Sequence, residues 1–402
     1  MRTLRLLAVL LLLVSTAQAQ LTSVSSFGSN PGNLSMFIYT PASAGANAPL
    51  VMVLHGCTQN ATGYANESDW NSLADTYGFY VIYPEQKNAN NSSGCFNWFE
   101  NGDINRNQGE ARSLANMVQY MKNNYSIDAD RVHVTGFSAG GAMAATMLAT
   151  YPDVFESGAV NAGLPYKAAT SLISAFSAMN PGNNQSPNQW GNLVRNAYSH
   201  SGDYPRVAIL HGTSDFTVNN ANATELVDQW TNVLGIDQTA DADDASFEGN
   251  STVRRRDYED ASGNPLVVRY DFNGMGHAIA IDPGSGATQG GNTGSFTADV
   301  NFFSSYWSAE FFGLTGSTPP GGGGGGGSTP IAAPTNLSAT AQGEDAIDLS
   351  WTDNATNETA YRVERGVSAS GPFSTVANLG ANASSYSDTG LVASTTYYYR
   401  VV

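Results

Sequence analysis

Short apolar runs alternate with longer amphipathic runs over residues 20–314 of this 402-residue chain. The apolar runs predict strands at Leu34–Tyr39, Leu50–Leu54, Phe79–Tyr83, Val132–Thr135, Gly158–Val160, Val207–Leu210 and Leu266–Phe272. Helical periodicity predicts helices at Gly109–Asn123, Glu225–Leu234 and Thr297–Phe312, and a small-residue helix after Ser138 that continues until Tyr151 and Pro152 stop it. Apolar strands separated by helices are typical of a mostly parallel sheet with helices on both faces. The sequence therefore predicts an α/β fold for this region.

The segment Leu164–Asp203 does not follow this alternation. It is rich in Asn, Ser, Gly and Pro and lies between two predicted strands. We interpret it either as a cap over a site at the edge of the sheet or as a simple surface excursion.

The composition changes abruptly after residue 314. Residues 315–332 contain seven consecutive glycines flanked by Ser, Thr and Pro, which predicts a flexible linker. Residues 333–402 then show alternating strands with Trp351 and a late tyrosine cluster, and they resemble a fibronectin type III domain. Because the sequence ends at Val402, where a final strand would be expected, we interpret it either as truncated or as continuing naturally into a further module, with a polymer-binding module as the candidate.

The first 19 residues have the pattern of a secretory signal peptide, with two early arginines, an apolar run Leu6–Val14 and small residues at Ala17–Ala19. That run is too short to span a bilayer, so we expect a secreted, soluble protein beginning near Gln20. The net charge of −17 disfavours nucleic acid and anionic membrane surfaces as partners.

The most informative motif is Gly-Phe-Ser-Ala-Gly at Gly136–Gly140. It follows a predicted strand and precedes a predicted helix, the context of a nucleophile elbow that presents Ser138 above the end of a sheet. A serine in this position indicates acyl-transfer chemistry. An incidental serine in a structural strand–turn–helix unit is the alternative interpretation.

A nucleophilic serine requires a general base and a carboxylate that orients it, in the chain order Ser, Asp or Glu, His. His277, in a glycine-rich loop after a strand, and Asp215, just past the end of another strand, fit this order. His200 and Asp282 are weaker candidates, and Asp215 could instead cap a turn or helix. For the oxyanion we expect the backbone N–H groups of Ala139 and Cys57.

The two cysteines, Cys57 and Cys95, form an even pair in an exported protein, which favours a disulfide. No metal site is expected, because no histidine lies at ligand spacing from either sulfur. An acidic cluster could bind calcium, but it lacks the glycine turn of a calcium loop, so a solvated loop is the better interpretation. Its members are Asp241, Asp243, Asp244 and Glu248.

Four segments resemble the extracellular short-chain poly(3-hydroxyalkanoate) depolymerases with a type 1 catalytic domain: His55–Gln59, Cys95–Phe99, Gly136–Gly141 and Gly274–His277. The broader esterase family also contains acetylxylan and feruloyl esterases. The resemblance covers residues 21–314. It implies an α/β-hydrolase fold, no metal and no cofactor. It also implies a catalytic triad of Ser138, Asp215 and His277. The backbone amides of Cys57 and Ala139 would stabilise the oxyanion, and Cys57 and Cys95 would form a disulfide.

The expected substrate is a short-chain polyester, its oligomers or another small ester. No polymer-binding domain is recognised within these residues, which is a departure from the family pattern. His55, Trp98 and Phe99 are candidates for an ester-binding groove, with core packing as the alternative for the two aromatic residues. An acetylxylan or feruloyl esterase is the nearest rival, and a non-catalytic surface-binding protein is the rival from another class.

Overall fold

The computed structural model describes residues 21–316, 334–343, 345–354, 360–368, 373–380 and 382–401. It separates the chain into two compact units that divide at residue 325. The predicted signal peptide, the terminal Val402 and the predicted linker beyond Gly316 lie outside the described residues.

Within residues 21–316, ten strands form one sheet in the order β1-β2-β4-β3-β5-β6-β7-β10-β9-β8. The six central strands β4, β3, β5, β6, β7 and β10 run parallel to one another. The strands β1 and β2 at one edge, and β9 and β8 at the other, are joined by antiparallel pairing. The bounds are β1 Thr22–Val24, β2 Ser35–Tyr39, β3 Ala48–Leu54, β4 Tyr80–Glu85, β5 Ile127–Phe137, β6 Ser157–Asn161, β7 Arg206–Gly212, β8 Ala242–Asp244, β9 Val253–Glu259 and β10 Pro265–Phe272. The predicted parallel sheet is thus confirmed.

Helices cover both faces of this sheet, and each face has its own apolar core. The α-helices are α1 Ala61–Ser68, α2 Trp70–Tyr77, α3 Gly109–Asn124, α4 Ala139–Thr150, α5 Leu172–Met179, α6 Pro187–Arg195, α7 Ala221–Leu234 and α8 Ser304–Phe311. Every residue of β3, β6, β7 and β10 is buried, as expected for strands covered on two faces. The central helix α4 is buried along its whole length, which its small residues permit.

The predicted helix Thr297–Phe312 is wrong over its first half. Residues Thr297–Asp299 form strand β12, which pairs in parallel with β11 at Ile279–Ile281. Asn301 then adopts a positive φ of 52°, which interrupts any helix, so α8 begins only at Ser304. The aromatic spacing that suggested one helix comes from a loop and a short helix that bury their aromatic side chains in one core.

The C-terminal unit has two three-stranded antiparallel sheets, β13-β14-β17 and β16-β15-β18. Its strands are β13 Thr335–Gln342, β14 Ala346–Thr352, β15 Ala360–Gly366, β16 Ser374–Gly380, β17 Ser385–Thr389 and β18 Tyr398–Val401. Leu349, Trp351, Tyr361 and Val363 form its buried core. This is compatible with a small β domain, and the fibronectin type III assignment stays a prediction.

Candidate active site

Ser138 lies at the sharp turn between β5 and α4. Its φ of 55° and ψ of −119° are strained for a residue with a side chain, a cost of about 1–3 kcal/mol. The turn closes because its neighbours lack side chains: a β-carbon on Gly136 would lie 2.3 Å from the Gly140 carbonyl oxygen. A β-carbon on Gly140 would lie 2.2 Å from the Leu54 carbonyl oxygen. The predicted nucleophile elbow is therefore present as a backbone geometry.

The structure brings Ser138, His277 and Asp215 into one hydrogen-bonded chain. His277 Nε2 lies 2.9 Å from Ser138 Oγ, and His277 Nδ1 lies 2.7 Å from Asp215 Oδ2. With the proton on Nδ1, Nε2 accepts a hydrogen bond from the serine hydroxyl. The imidazole also packs on the ring of Phe137 at 4.8 Å, which restrains its orientation. This arrangement can transfer the serine proton to the imidazole.

The loops that carry Asp215 and His277 meet because of Gly212, the last residue of β7. A β-carbon there would lie 2.3 Å from the Met275 carbonyl oxygen and 2.6 Å from that of Gly276. The Ser214 N–H donates to Met275 O at 3.0 Å, which joins the two loops directly. Parallel neighbours β7 and β10 end at the same edge of the sheet, so their loops bring both side chains to Ser138.

Asp215 both caps a turn and contacts His277. The turn-cap interpretation and the histidine-partner interpretation of this residue therefore do not exclude each other. Its Oδ1 accepts from the N–H groups of Thr217 and Val218, each at 2.9 Å. Burial alone would raise the pKa of Asp215, but hydrogen bonds from His211 and His277 outweigh it and hold the pKa well below its ordinary value. The carboxylate therefore stays ionised and can stabilise an imidazolium.

His211 is a neighbour of the site that sequence reasoning placed only at the end of a strand. Its ring is fully buried, with Nε2 2.8 Å from Val218 O and 3.4 Å from Asp215 Oδ2. It thus supports the loop and the carboxylate from behind. The position of His211 four residues before Asp215 was the available signal.

The competing residues lie elsewhere. Asp282 accepts from Gln289 Nε2 at 3.1 Å, and its backbone pairs with Gly290. His200 Nε2 lies 3.0 Å from Asp203 O in an exposed loop. His133, in β5, is buried beside Ser157. The geometry of the site includes none of these three side chains.

The predicted oxyanion donors are backbone N–H groups at the start of α4 and in the loop after β3. Ala139 is the first residue of α4, so its N–H points from a helix N-terminus, where partial positive charge favours an anion. The close contact of Gly140 with Leu54 O and His55 O places this helix start against the loop after β3. In residues 21–316, neither the Ala139 N–H nor the Cys57 N–H donates a hydrogen bond, which leaves both available to an oxyanion.

The predicted disulfide is confirmed, since Cys57 and Cys95 are bonded across 38 residues. Gly56, which precedes Cys57, donates its N–H to Gln59 Oε1 at 2.8 Å. Gln59 Nε2 in turn donates to the Glu67 carboxylate at 2.5 Å. The backbone around the Cys57 amide is thus held by a covalent link and by hydrogen bonds.

A buried polar cluster lies behind this loop, and it includes His55. The His55 ring donates from Nδ1 to Gly56 O at 2.7 Å and accepts the Gln86 N–H at Nε2 at 3.1 Å. Burial lowers the pKa of His55 to about 4, so the ring is neutral. Gln86 also bonds Glu110, which accepts the Asn97 N–H at 2.8 Å. The structure therefore places His55 in the interior, as support for the loop, and not in an open groove as predicted.

Trp98 and Phe99 are also largely buried, with exposures of 5% and 7%. Their rings meet edge to face at 5.3 Å, and both belong to the core on one face of the sheet. This burial favours the core-packing interpretation over an open groove.

The structure offers no metal-binding cluster among its described residues. In the acidic cluster, Asp243 pairs with Arg254 at 2.6 Å, and Asp241 accepts the Glu259 N–H at 2.7 Å. No helix of the described residues is long and apolar enough to cross a membrane.

A serine at a strand-to-helix turn, joined through a histidine to a buried carboxylate on a mostly parallel sheet, defines the α/β-hydrolase class. Comparisons with known proteins narrow this class. The family model described as Esterase PHB depolymerase matches residues 34–253. The chain thus belongs to the PHB depolymerase family of esterases and is a carboxylic-ester hydrolase.

Individual relatives show the breadth of this family. The chain is 51% identical to poly(3-hydroxyalkanoate) depolymerase C of Paucimonas lemoignei, over 77% of this chain and 73% of that protein. It is 32% identical to feruloyl esterase B of Talaromyces stipitatus, over 67% of this chain and 75% of that protein. The acetyl xylan esterase structure from Aspergillus awamori superposes with a TM-score of 0.59 at 30% identity, covering 64% of this chain and 94% of that one.

Proposed function

We propose that this protein is a secreted serine esterase that hydrolyses short-chain poly(3-hydroxyalkanoate) polyester or its oligomers, with Ser138, His277 and Asp215 as catalytic triad. The observation that carries the proposal is the continuous hydrogen-bonded chain from the serine hydroxyl through the imidazole to the carboxylate. The same residues stand in the chain order of α/β-hydrolases.

The first half of the reaction forms an acyl-enzyme. Ser138 Oγ attacks the ester carbonyl while His277 Nε2 takes its proton, and Asp215 stabilises the resulting imidazolium. The carbonyl oxygen becomes an oxyanion, which the Ala139 and Cys57 amides stabilise. The imidazolium then gives its proton to the departing hydroxyl end of the substrate.

The second half releases the acid. His277 takes a proton from water, the hydroxide attacks the acyl-enzyme carbonyl, and the same two amides stabilise the second oxyanion. Collapse of this intermediate breaks the bond to Ser138 Oγ, which recovers its proton from the imidazolium. No metal or cofactor takes part in these steps.

Polyester is favoured over polysaccharide esters because similarity to the depolymerase of Paucimonas lemoignei exceeds that to the feruloyl esterase, 51% against 32% identity. Secretion is supported by the N-terminal signal pattern and by the disulfide, which persists in oxidising compartments. The acetylxylan or feruloyl esterase alternative is supported by the superposition on the Aspergillus awamori enzyme.

A substrate panel on the purified full chain tests the proposal. We expect 3-hydroxybutyrate release from poly(3-hydroxybutyrate) films, with little release of acetate from acetylated xylan or of ferulate from feruloylated arabinoxylan. Ser138→Ala should abolish each activity, p-nitrophenyl butyrate hydrolysis included, whereas Ser214→Ala, on the neighbouring loop, should retain it. Activity on the polysaccharides alone would contradict the proposed substrate, and inactivity on every ester would favour a binding protein.

A further inference from the structure

Four large apolar side chains are conspicuously exposed beside the candidate active site. Leu172 is 54% exposed, Ile173 85%, Phe176 66% and Phe216 82%. Among residues 21–316, these are the large hydrophobic side chains with high exposure, and they all lie on α5 and on the loop after β7. We call Leu172, Ile173, Phe176 and Phe216 the apolar patch.

The exposure of α5 does not result from a loosely held helix. The helix starts in a reciprocal capping box between Ser171 and Ser174 and buries Ala175 and Ala178 on its inner face. The small residues therefore pack inward while the three large ones point to solvent. Large apolar side chains that face solvent while small ones face the core do not stabilise an isolated chain. Their exposure therefore indicates an interaction surface.

Hydrogen bonds join the end of α5 to the loop that starts at Asp215. Asn180 Nδ2 donates to Phe216 O at 2.9 Å, and the Asn219 N–H donates to Met179 O at 2.8 Å. Phe216 directly follows Asp215, whose carboxylate contacts His277. The apolar patch is thus joined through Phe216 to the loop that carries Asp215, and hydrogen bonds fix α5 to the same loop.

The composition of the segment that contains α5 indicates what kind of partner covers the patch. No charged residue occurs from Ala168 to Val194, although the chain as a whole carries a net charge of −17. An uncharged, apolar surface on an acidic protein suits an uncharged partner with apolar groups, such as an aliphatic polyester. A charged protein surface would find no ionic partner in this segment, and the four side chains of the patch have no polar atom to bond the hydroxyl groups of a polysaccharide.

We propose that the apolar patch is the docking surface for an aliphatic polyester and holds the polymer surface next to Ser138. This inference rests on the proposed function and extends it from the ester bond to the polymer around it. Soluble esters, which need only the triad and the oxyanion amides, do not depend on the patch.

The test compares polymer with soluble ester in the full chain. Ile173→Asn/Phe176→Asn removes the most exposed apolar area of α5, and Ser177→Asn on the same helix is the matched control. We expect the ratio of poly(3-hydroxybutyrate) hydrolysis to p-nitrophenyl butyrate hydrolysis to fall about tenfold in the double variant. The control should keep the wild-type ratio, and both proteins should keep the wild-type thermal midpoint.

A ratio that changes by less than about threefold would overturn the proposal. It would also be overturned if the wild type were a dimer and the double variant a monomer, since the patch would then join two copies. Adsorption of Ser138→Ala protein to polymer granules, with and without the double substitution, tests docking without turnover. A wild type that adsorbs through the patch but does not cleave the polymer would contradict the proposed function alone. If the double variant misfolds, Ile173→Ser replaces it with the same criteria.

Discussion

Three loops carry the groups proposed to act with Ser138, and they are held in two different ways. The loops after β7 and β10 carry Asp215 and His277, whose side chains bond each other and Ser138, while Asp215 also accepts two N–H groups of its own loop. The loop after β3 carries Cys57, fixed by a disulfide and a buried polar cluster that does not touch the serine. Substitutions in the loops after β7 and β10 should therefore lower the rate, whereas substitutions in the loop after β3 should lower the stability of the fold.

His277→Ala should produce the largest effect. Loss of the base should lower kcat on p-nitrophenyl butyrate by on the order of 10⁴-fold or more, because Ser138 then has no proton acceptor. The free energy of unfolding should change by less than about 1 kcal/mol, since Asp215 keeps its bonds to the Thr217 and Val218 N–H groups. Steady-state kinetics and urea titrations measure both quantities, and a large loss of stability would show that the His277 loop also supports the fold.

Asp215→Asn should lower kcat by on the order of 10³–10⁴-fold, because the histidine loses its ionised partner and its tautomer. The amide oxygen can still accept the Thr217 and Val218 N–H groups, so the fold should persist. Asp282→Asn is the matched control and should keep wild-type kinetics. Equal effects of the two substitutions would show that the carboxylate at 215 has no special role.

Removal of the disulfide should chiefly affect stability. Cys57→Ser/Cys95→Ser should lower the free energy of unfolding by about 2–5 kcal/mol in urea titrations, because it releases a constraint on the unfolded chain. The Cys57 amide survives the substitution, so the rate on soluble ester should fall far less than in the His277 variant. Wild type treated with reductant should behave like the double variant. A rate loss as great as that of His277→Ala would contradict the division between the loops.

The smallest expected effect on activity comes from Glu110, which should change only the pH dependence of stability. Burial and the nearby Asp103 carboxylate raise the pKa of Glu110 from 4.5 to about 8, so the folded protein binds a proton that the unfolded chain has lost. Its contribution to stability is present below about pH 4.5 and is lost as the pH rises through 8. Glu110→Gln should therefore become more stable relative to wild type between pH 5 and 8, about the range set by these two pKa values.

Urea titrations at several pH values measure this difference. Glu100→Gln, at an exposed position, is the control and should follow the wild-type curve. A Glu110→Gln curve parallel to wild type across this range would contradict a protonated Glu110 behind the β3 loop.

The sequence was sufficient for the features that depend on local patterns. The elbow around Ser138 follows from a strand, a glycine-flanked serine and a helix, and the chain order then selects Asp215 and His277. Continuous apolar runs predicted the buried strands, because a strand covered on two faces has no polar face.

The missed features depend on contacts between distant residues. The cluster of His55, Gln86 and Glu110 joins positions that are 31 and 24 residues apart, and no local pattern relates them. The break before α8 results from a positive φ at Asn301, which the aromatic spacing concealed. The position of α5 beside the loop after Asp215 likewise requires tertiary contacts.

Ser138 is proposed to be a nucleophile that His277 activates. The most direct measurement is peptide mass spectrometry after treatment with a fluorophosphonate ester, which bonds covalently to activated serine hydroxyls. We expect a single phosphonylated residue, Ser138, and no labelling at that serine in the His277→Ala variant. Labelling of another serine, or equal labelling of Ser138 without the imidazole, would contradict this proposal.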